Sequence, residues 1–116
     1  MYNVKDDSKN LIVSFEEASL STATVEHMEA FLKEMMPYKK IAIDLANIKS
    51  LKNEFFDMLK VLSLNKKISL FNISAEMNLL LFIMNYNQYT RLYSNENDFK
   101  EGKRELVKRN FKFCLN

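Results

Sequence analysis

The residues best suited to chemistry or recognition lie in one polar stretch between two apolar runs: Asn47, Ser50, Lys52, Asn53 and Glu54, closed by Phe55. They offer an amide, a hydroxyl, an ammonium and a carboxylate at close spacing. They do not make a catalytic set. The single histidine, His27, sits beside Glu26 with no second histidine and no cysteine near it, so it has neither the co-ligands of a metal site nor the partners of a general base. Cys114 is the only cysteine; it excludes an intramolecular disulfide and a cysteine-based zinc site, and Lys112 alone does not make an activating environment for a thiolate. Gly102 is the only glycine and stands in a charged segment, which excludes glycine-rich phosphate loops and dinucleotide fingerprints. The expectation is therefore that the chain is not an enzyme, with no catalytic residue, no metal and no cofactor.

These residues need a scaffold, and the hydrophobic pattern supplies one. Ile41 to Leu45 reads as a strand apolar on both sides, suited to the middle of a sheet covered on both faces. Asn47 to Asn53 carries turn and cap chemistry, with Asn53 as the expected helix cap. Phe55, Met58, Leu59 and Leu62 then recur at helical spacing. A strand handing over to a helix is where open α/β sheets usually place function. Upstream, Tyr2 to Lys5 and Leu11 to Phe15 flank the polar turn Asp6 to Asn10 and predict a hairpin, against the alternative of a single strand after an unstructured start. Val25, Met28, Leu32 and Met35 predict a helix capped by Ser21 or Thr22 and ended by Pro37. Downstream, Ile68 to Ile73 reads as a strand and Ser74 as the cap of a helix bearing Met77, Leu80, Leu81 and Met84. Leu79, Phe82 and Ile83 widen its apolar face, which predicts burial on more than one side or a partner interface. Thr90 to Tyr93 reads as a last strand, Asp98 to Arg109 as a fourth helix, and Phe111 to Leu115 alternates like a strand.

The order β-β-α-β-α-β-α-β-α predicts an α/β fold: a mixed sheet of four to five strands, mainly parallel, with an antiparallel N-terminal hairpin and four helices, in one domain spanning residues 1–116. The chain's 116 residues, 47% hydrophobic and 28% charged, suit a single globular core. The net charge of +2 is too small to argue for nucleic acid. Lys100, Lys103, Arg104, Lys108 and Arg109 are interrupted by Glu101 and Glu105, which reads as a solvated helix face. The methionines Met28, Met35, Met36, Met58, Met77 and Met84 read as adaptable core. The N-terminus has no apolar signal segment, and Met77 to Met84 falls well short of the roughly 20 residues that span a bilayer. No membrane insertion is expected, and the cytoplasm is the expected location.

The element order and the run Ile41 to Leu45 resemble the STAS family, the sulphate transporter and anti-sigma factor antagonist domain, over nearly the whole chain. Ile43-Asp44-Leu45-Ala46 matches the family's strand ending in Asp-Leu-Ser. Ile68 to Ile73, Leu79 to Leu92 and Ser94 to Lys103 resemble its later strand, its helix leading into a short strand, and its final loop and helix. Where the family carries Asp-Ser-Ser-Gly, this chain carries Lys52-Asn53-Glu54-Phe55. Glu54 takes the place of the serine that, in regulatory members, a kinase-like anti-sigma factor phosphorylates to release the antagonist. Phosphate there adds nearly two negative charges to an interface built for a neutral hydroxyl. Glu54 cannot be switched; it carries a permanent charge of about −1. Ser50, four residues upstream, takes the serine's place only in a different register.

The resemblance implies a non-enzymatic interaction domain of a bacterial regulatory complex, without the serine switch. Its partner would be an anti-sigma factor or another kinase-like regulator, bound through Asn47, Ser50, Lys52, Asn53, Glu54 and Phe55. The alternative is a small cytoplasmic STAS subunit of a lipid transporter, docked on its ATPase. Asp44 either orients the loop or simply caps the strand end, Glu54 either docks a partner or simply complements the helix dipole, and homodimerisation is left open by the wide apolar helix.

Overall fold

The computed structural model describes residues 2–64 and 67–102. They form strands β1 (Asn3–Asp6), β2 (Asn10–Ser14), β3 (Lys40–Asp44), β4 (Ile68–Phe71) and β5 (Thr90–Leu92), and helices α1 (Thr22–Met35), α2 (Asn53–Leu62), α3 (Ala75–Ile83) and α4 (Glu96–Glu101). The five strands lie in sequence order in one sheet; β1 pairs antiparallel with β2, and every later pair is parallel. The expected hairpin and parallel order are both present. Each parallel connection is a helix, the crossover that parallel strands require.

The sheet has two cores. On one face Leu11, Val13, Ile41, Ile43, Ile68, Leu70 and Leu92 meet the apolar sides of α1, α2 and α3. On the other, Ile12, Ala42, Phe71 and Tyr93 lie under Phe99 of α4. Successive strand residues point to opposite faces, so Ile41 and Ile43 serve the first core and Ala42 the second. This is why β3 is apolar throughout. The edge strand β1 is exposed along its length.

Several boundaries differ from the sequence pattern, each for a local reason. Strand β4 ends at Phe71, before the expected Ile73, because Asn72 turns into the left-handed region at φ 57°. Helix α4 starts at Glu96, ahead of the expected Asp98, because Asn95 Oδ1 accepts the Asp98 N–H at 2.9 Å. It closes at Glu101, where Gly102 adopts φ 70° as a helix-ending residue. The expected helix over residues 103 to 109 and the strand-like Phe111 to Leu115, with Cys114, lie outside the described residues. A 3-10 turn at Tyr86–Gln88 was not legible in the pattern; it follows Asn85 at φ 65° and places the Tyr86 ring 5.0 Å from that of Phe56. Of the expected core methionines, Met84 is instead exposed. Among the described residues, no helix is long and apolar enough to cross a membrane, and no three acidic, histidine or cysteine residues group as a metal site.

Candidate functional site

The loop from β3 to α2 is built from the strand end outward. Asp44 accepts two hydrogen bonds through one oxygen, from the Ala46 backbone N–H and from Asn72 Nδ2, both at 3.0 Å. The first is a local Asx turn that reverses the chain; the second ties the turn to the end of β4. Asp44 thus both caps the strand end and orients the loop. Ile48 is buried as the loop's apolar foot, and its N–H returns to the Leu45 carbonyl at 3.1 Å.

A second set of bonds pins this loop to the β2–α1 connection. Asn47 Nδ2 donates to the Phe15 carbonyl at 2.7 Å, and the N–H groups of Lys49 and Ser50 both reach the Ala18 carbonyl, at 2.8 and 3.4 Å. Backbone groups in a loop must find partners somewhere, and here they find them in the neighbouring loop. The two connections form one ledge beyond the C-terminal ends of β2 and β3, the position that open α/β sheets favour for ligand contact.

Helix α2 begins on this ledge. Its cap is Lys52, which makes no side-chain capping bond; Asn53, the expected cap, is instead the first helical residue. The phase is set by burial, because Phe55 has to turn inward. Phe55 is 1% exposed and belongs to the core beside Met58, Leu59 and Leu62. It therefore cannot present its side chain to a partner, and its expected place on the contact surface is corrected. Asn47, Ser50, Lys52, Asn53 and Glu54 are exposed.

Glu54 occupies the first turn of α2, and its Oε1 accepts a 3.3 Å hydrogen bond from the Thr22 hydroxyl at the start of α1. Ser21 caps α1 through a bond from the Thr24 N–H, which leaves the Thr22 hydroxyl to face Glu54. The carboxylate thus lies near the positive ends of two helices. Thr22 and Asn72 were missed as site residues. The sequence does flag both positions, Thr22 as a second hydroxyl beside a cap and Asn72 as a residue type that tolerates the left-handed region, but not which partner each would meet.

Two grooves flank the helix start. One, of about 310 Å³, lies between Lys52 and the β2–α1 connection at Glu17, Ser19, Leu20, Ser21 and Thr24. The other, of about 240 Å³, is more apolar; Lys49, Ser50, Leu51 and Phe56 face Ser74, Glu76, Met77 and Leu80 across it. The arrangement offers a rigid, exposed, mixed-charge edge, suited to docking another surface. His27 stands apart, on α1, where its Nδ1 is 2.8 Å from the Tyr2 hydroxyl.

No family model and no curated protein matches the chain by sequence. Solved structures match it closely in shape. An anti-sigma-factor antagonist (STAS) domain protein from Planctomyces limnophilus superposes with a TM-score of 0.67 at 17% identity, covering 84% of this chain and 92% of that one. The anti-sigma factor antagonist SpoIIAA in its unphosphorylated form gives 0.66 at 9% identity, covering 90% and 100%. The murine Solute Carrier 26 family member A9 anion transporter, in its inward-facing state, gives 0.55 at 14% identity over 82% of this chain and 18% of that one. The chain has the STAS fold.

Proposed function

We propose that this STAS-fold chain is a non-enzymatic protein-interaction module of a bacterial regulatory complex in the cytoplasm, similar to the anti-sigma factor antagonists but without their serine switch. The contact surface is the ledge at Asn47, Ser50, Lys52, Asn53 and Glu54. The observation that carries the reading is the setting of Glu54: an exposed carboxylate at the start of α2, held by Thr22, where the resemblance places a phosphorylatable serine. A serine there reports kinase action by gaining charge; Glu54 has no hydroxyl to be phosphorylated. The partner, an anti-sigma factor or other kinase-like regulator, then meets a surface fixed in one charge state. Affinity capture from the native host with mass spectrometry tests the reading. Wild-type chain should recover a kinase-like regulator that a Lys52→Glu, Glu54→Lys variant does not. Equal recovery by both would place the contact elsewhere.

A second reading draws on the likeness to the anion transporter. There the same fold forms 18% of a transport protein. On this reading the chain is a small cytoplasmic STAS subunit of a lipid transporter, docked on the transporter's ATPase. Recovery of an ATPase in the same capture, in place of a regulator, would select this reading.

A further inference from the structure

The exposed ledge residues Asn47, Ser50, Lys52, Asn53 and Glu54 are all polar. A contact surface made of them alone would be a rim without a core. Protein contacts surround an apolar centre with such a rim and cover about 800 Å² on each partner, well beyond five side chains. An apolar centre adjoins the ledge. The groove of about 240 Å³ between the β3–α2 loop and the start of α3 has Ser50 in its lining, so it is continuous with the ledge. Leu51 and Phe56 line one wall, Met77 and Leu80 the other. Phe56 and Met77 are buried, Leu51 is half-buried, and Leu80 is 45% exposed. Both walls are held in place. The Lys49 and Ser50 N–H groups are tied to the Ala18 carbonyl, and Ser74 caps α3 by accepting the Met77 N–H at 3.1 Å. A groove fixed in this way does not have to be ordered on binding. The groove past Lys52 is lined mostly by polar residues and supplies no such centre.

We infer that the groove between the β3–α2 loop and α3 takes one large apolar side chain (leucine, methionine or phenylalanine) from the protein that binds the ledge. The inference rests on the reading of the ledge as a protein contact surface. It adds the chemistry of the partner, an apolar anchor projecting from a polar surface. One buried anchor ringed by polar contacts that exclude water is how a small surface concentrates its binding energy. Leu80 thereby brings the start of α3 into the contact. Its neighbour Leu79 is as exposed, at 47%, but does not line the groove, which makes it the internal control.

Isothermal titration of the regulator recovered by the wild-type chain tests the inference. Leu80→Asp should raise the Kd at least about tenfold, and Leu79→Asp should raise it less than about threefold. Leu51→Ser, on the opposite wall, should act as Leu80→Asp does, and serves should Leu80→Asp fail to fold by circular dichroism. The heat-capacity change of binding should be negative for the wild-type chain and smaller in magnitude for the groove variants. An unchanged Kd for Leu80→Asp and Leu51→Ser, with binding still weakened by Lys52→Glu, Glu54→Lys, would overturn the inference and leave the ledge reading standing. Equal losses for Leu79→Asp and Leu80→Asp would move the contact to the outer side of α3 and overturn it too. A regulator indifferent to Lys52→Glu, Glu54→Lys would overturn the ledge reading, and the inference with it.

Discussion

Glu54 and Phe55 are neighbours with opposite duties. Glu54 stands exposed at the ledge, and Phe55 is sealed beneath it. Removing the Phe55 ring leaves a cavity under the start of α2, so Phe55→Ala should cost about 3–5 kcal/mol in a urea denaturation. Glu54→Gln, at an exposed position, should change stability by under about 1 kcal/mol in the same experiment. A small loss for Phe55→Ala would show that the ring is not core. The inward turn of Phe55 was legible, since its spacing with Met58, Leu59 and Leu62 predicts a buried face. Its neighbourhood with the polar loop drew it to the surface set instead. Asn53 was misplaced for a related reason: residue type favours it as a cap, but the packing of Phe55 fixes the phase of the first turn one residue earlier, at Lys52. Asn78 shows the opposite problem. It is buried on the inner side of α3, and its Oδ1 has no hydrogen-bond partner among the described residues. A buried unpaired carbonyl is costly, so Asn78→Leu should stabilise the fold by about 1 kcal/mol, read as a higher urea midpoint. A lower midpoint would mean that the amide has a partner or that the site cannot take the added bulk.

At the scale of elements, α4 is only six residues long and depends on anchors from the strands. Lys40 Nζ donates to the Phe99 carbonyl at 2.8 Å and lies over the Phe99 ring, 4.8 Å from its centroid. Burial, and then the nearby Arg91, hold the Lys40 pKa below the ordinary lysine value. Lys5 on β1 bonds Glu96 at 2.7 Å, and Lys100 reaches the same oxygen at 3.0 Å. The hydrogen bond from Lys5, followed by that from Lys100, holds the Glu96 carboxyl below the usual glutamate range. The folded chain therefore releases this proton at lower pH than the unfolded chain. The contribution is complete above the unfolded value of about 4.3 and is lost as pH falls through the lower folded value. Replacing Glu96 with Gln should accordingly lower stability near pH 7 by under about 1 kcal/mol, with the difference fading in acid as the folded carboxyl takes up its proton. A difference that persists unchanged in acid would show that the contact is not one of charge. None of this anchoring was legible from periodicity, because ion pairs between β1 and α4 join residues 91 positions apart.

For the whole molecule, the alternation of apolar runs was sufficient to order five strands and four helices, because each run has a length and period that only one element satisfies. Ile41 to Leu45 even declared its two-sided burial, with Ala42 facing the small core under α4 and Ile41 and Ile43 the large one. What periodicity could not supply was the meeting of distant loops. The ledge exists because Asn47 finds Phe15, Lys49 finds Ala18, and Glu54 finds Thr22. These contacts turn a polar stretch into a fixed surface. The central claim is that this surface, with its unswitchable carboxylate, holds a protein partner. Isothermal titration of the captured regulator into wild-type chain and into the Lys52→Glu, Glu54→Lys variant tests it most directly. At least a tenfold loss of affinity, about 1.4 kcal/mol, is expected for the variant, with its folding unchanged. Equal affinity for the two chains would contradict it.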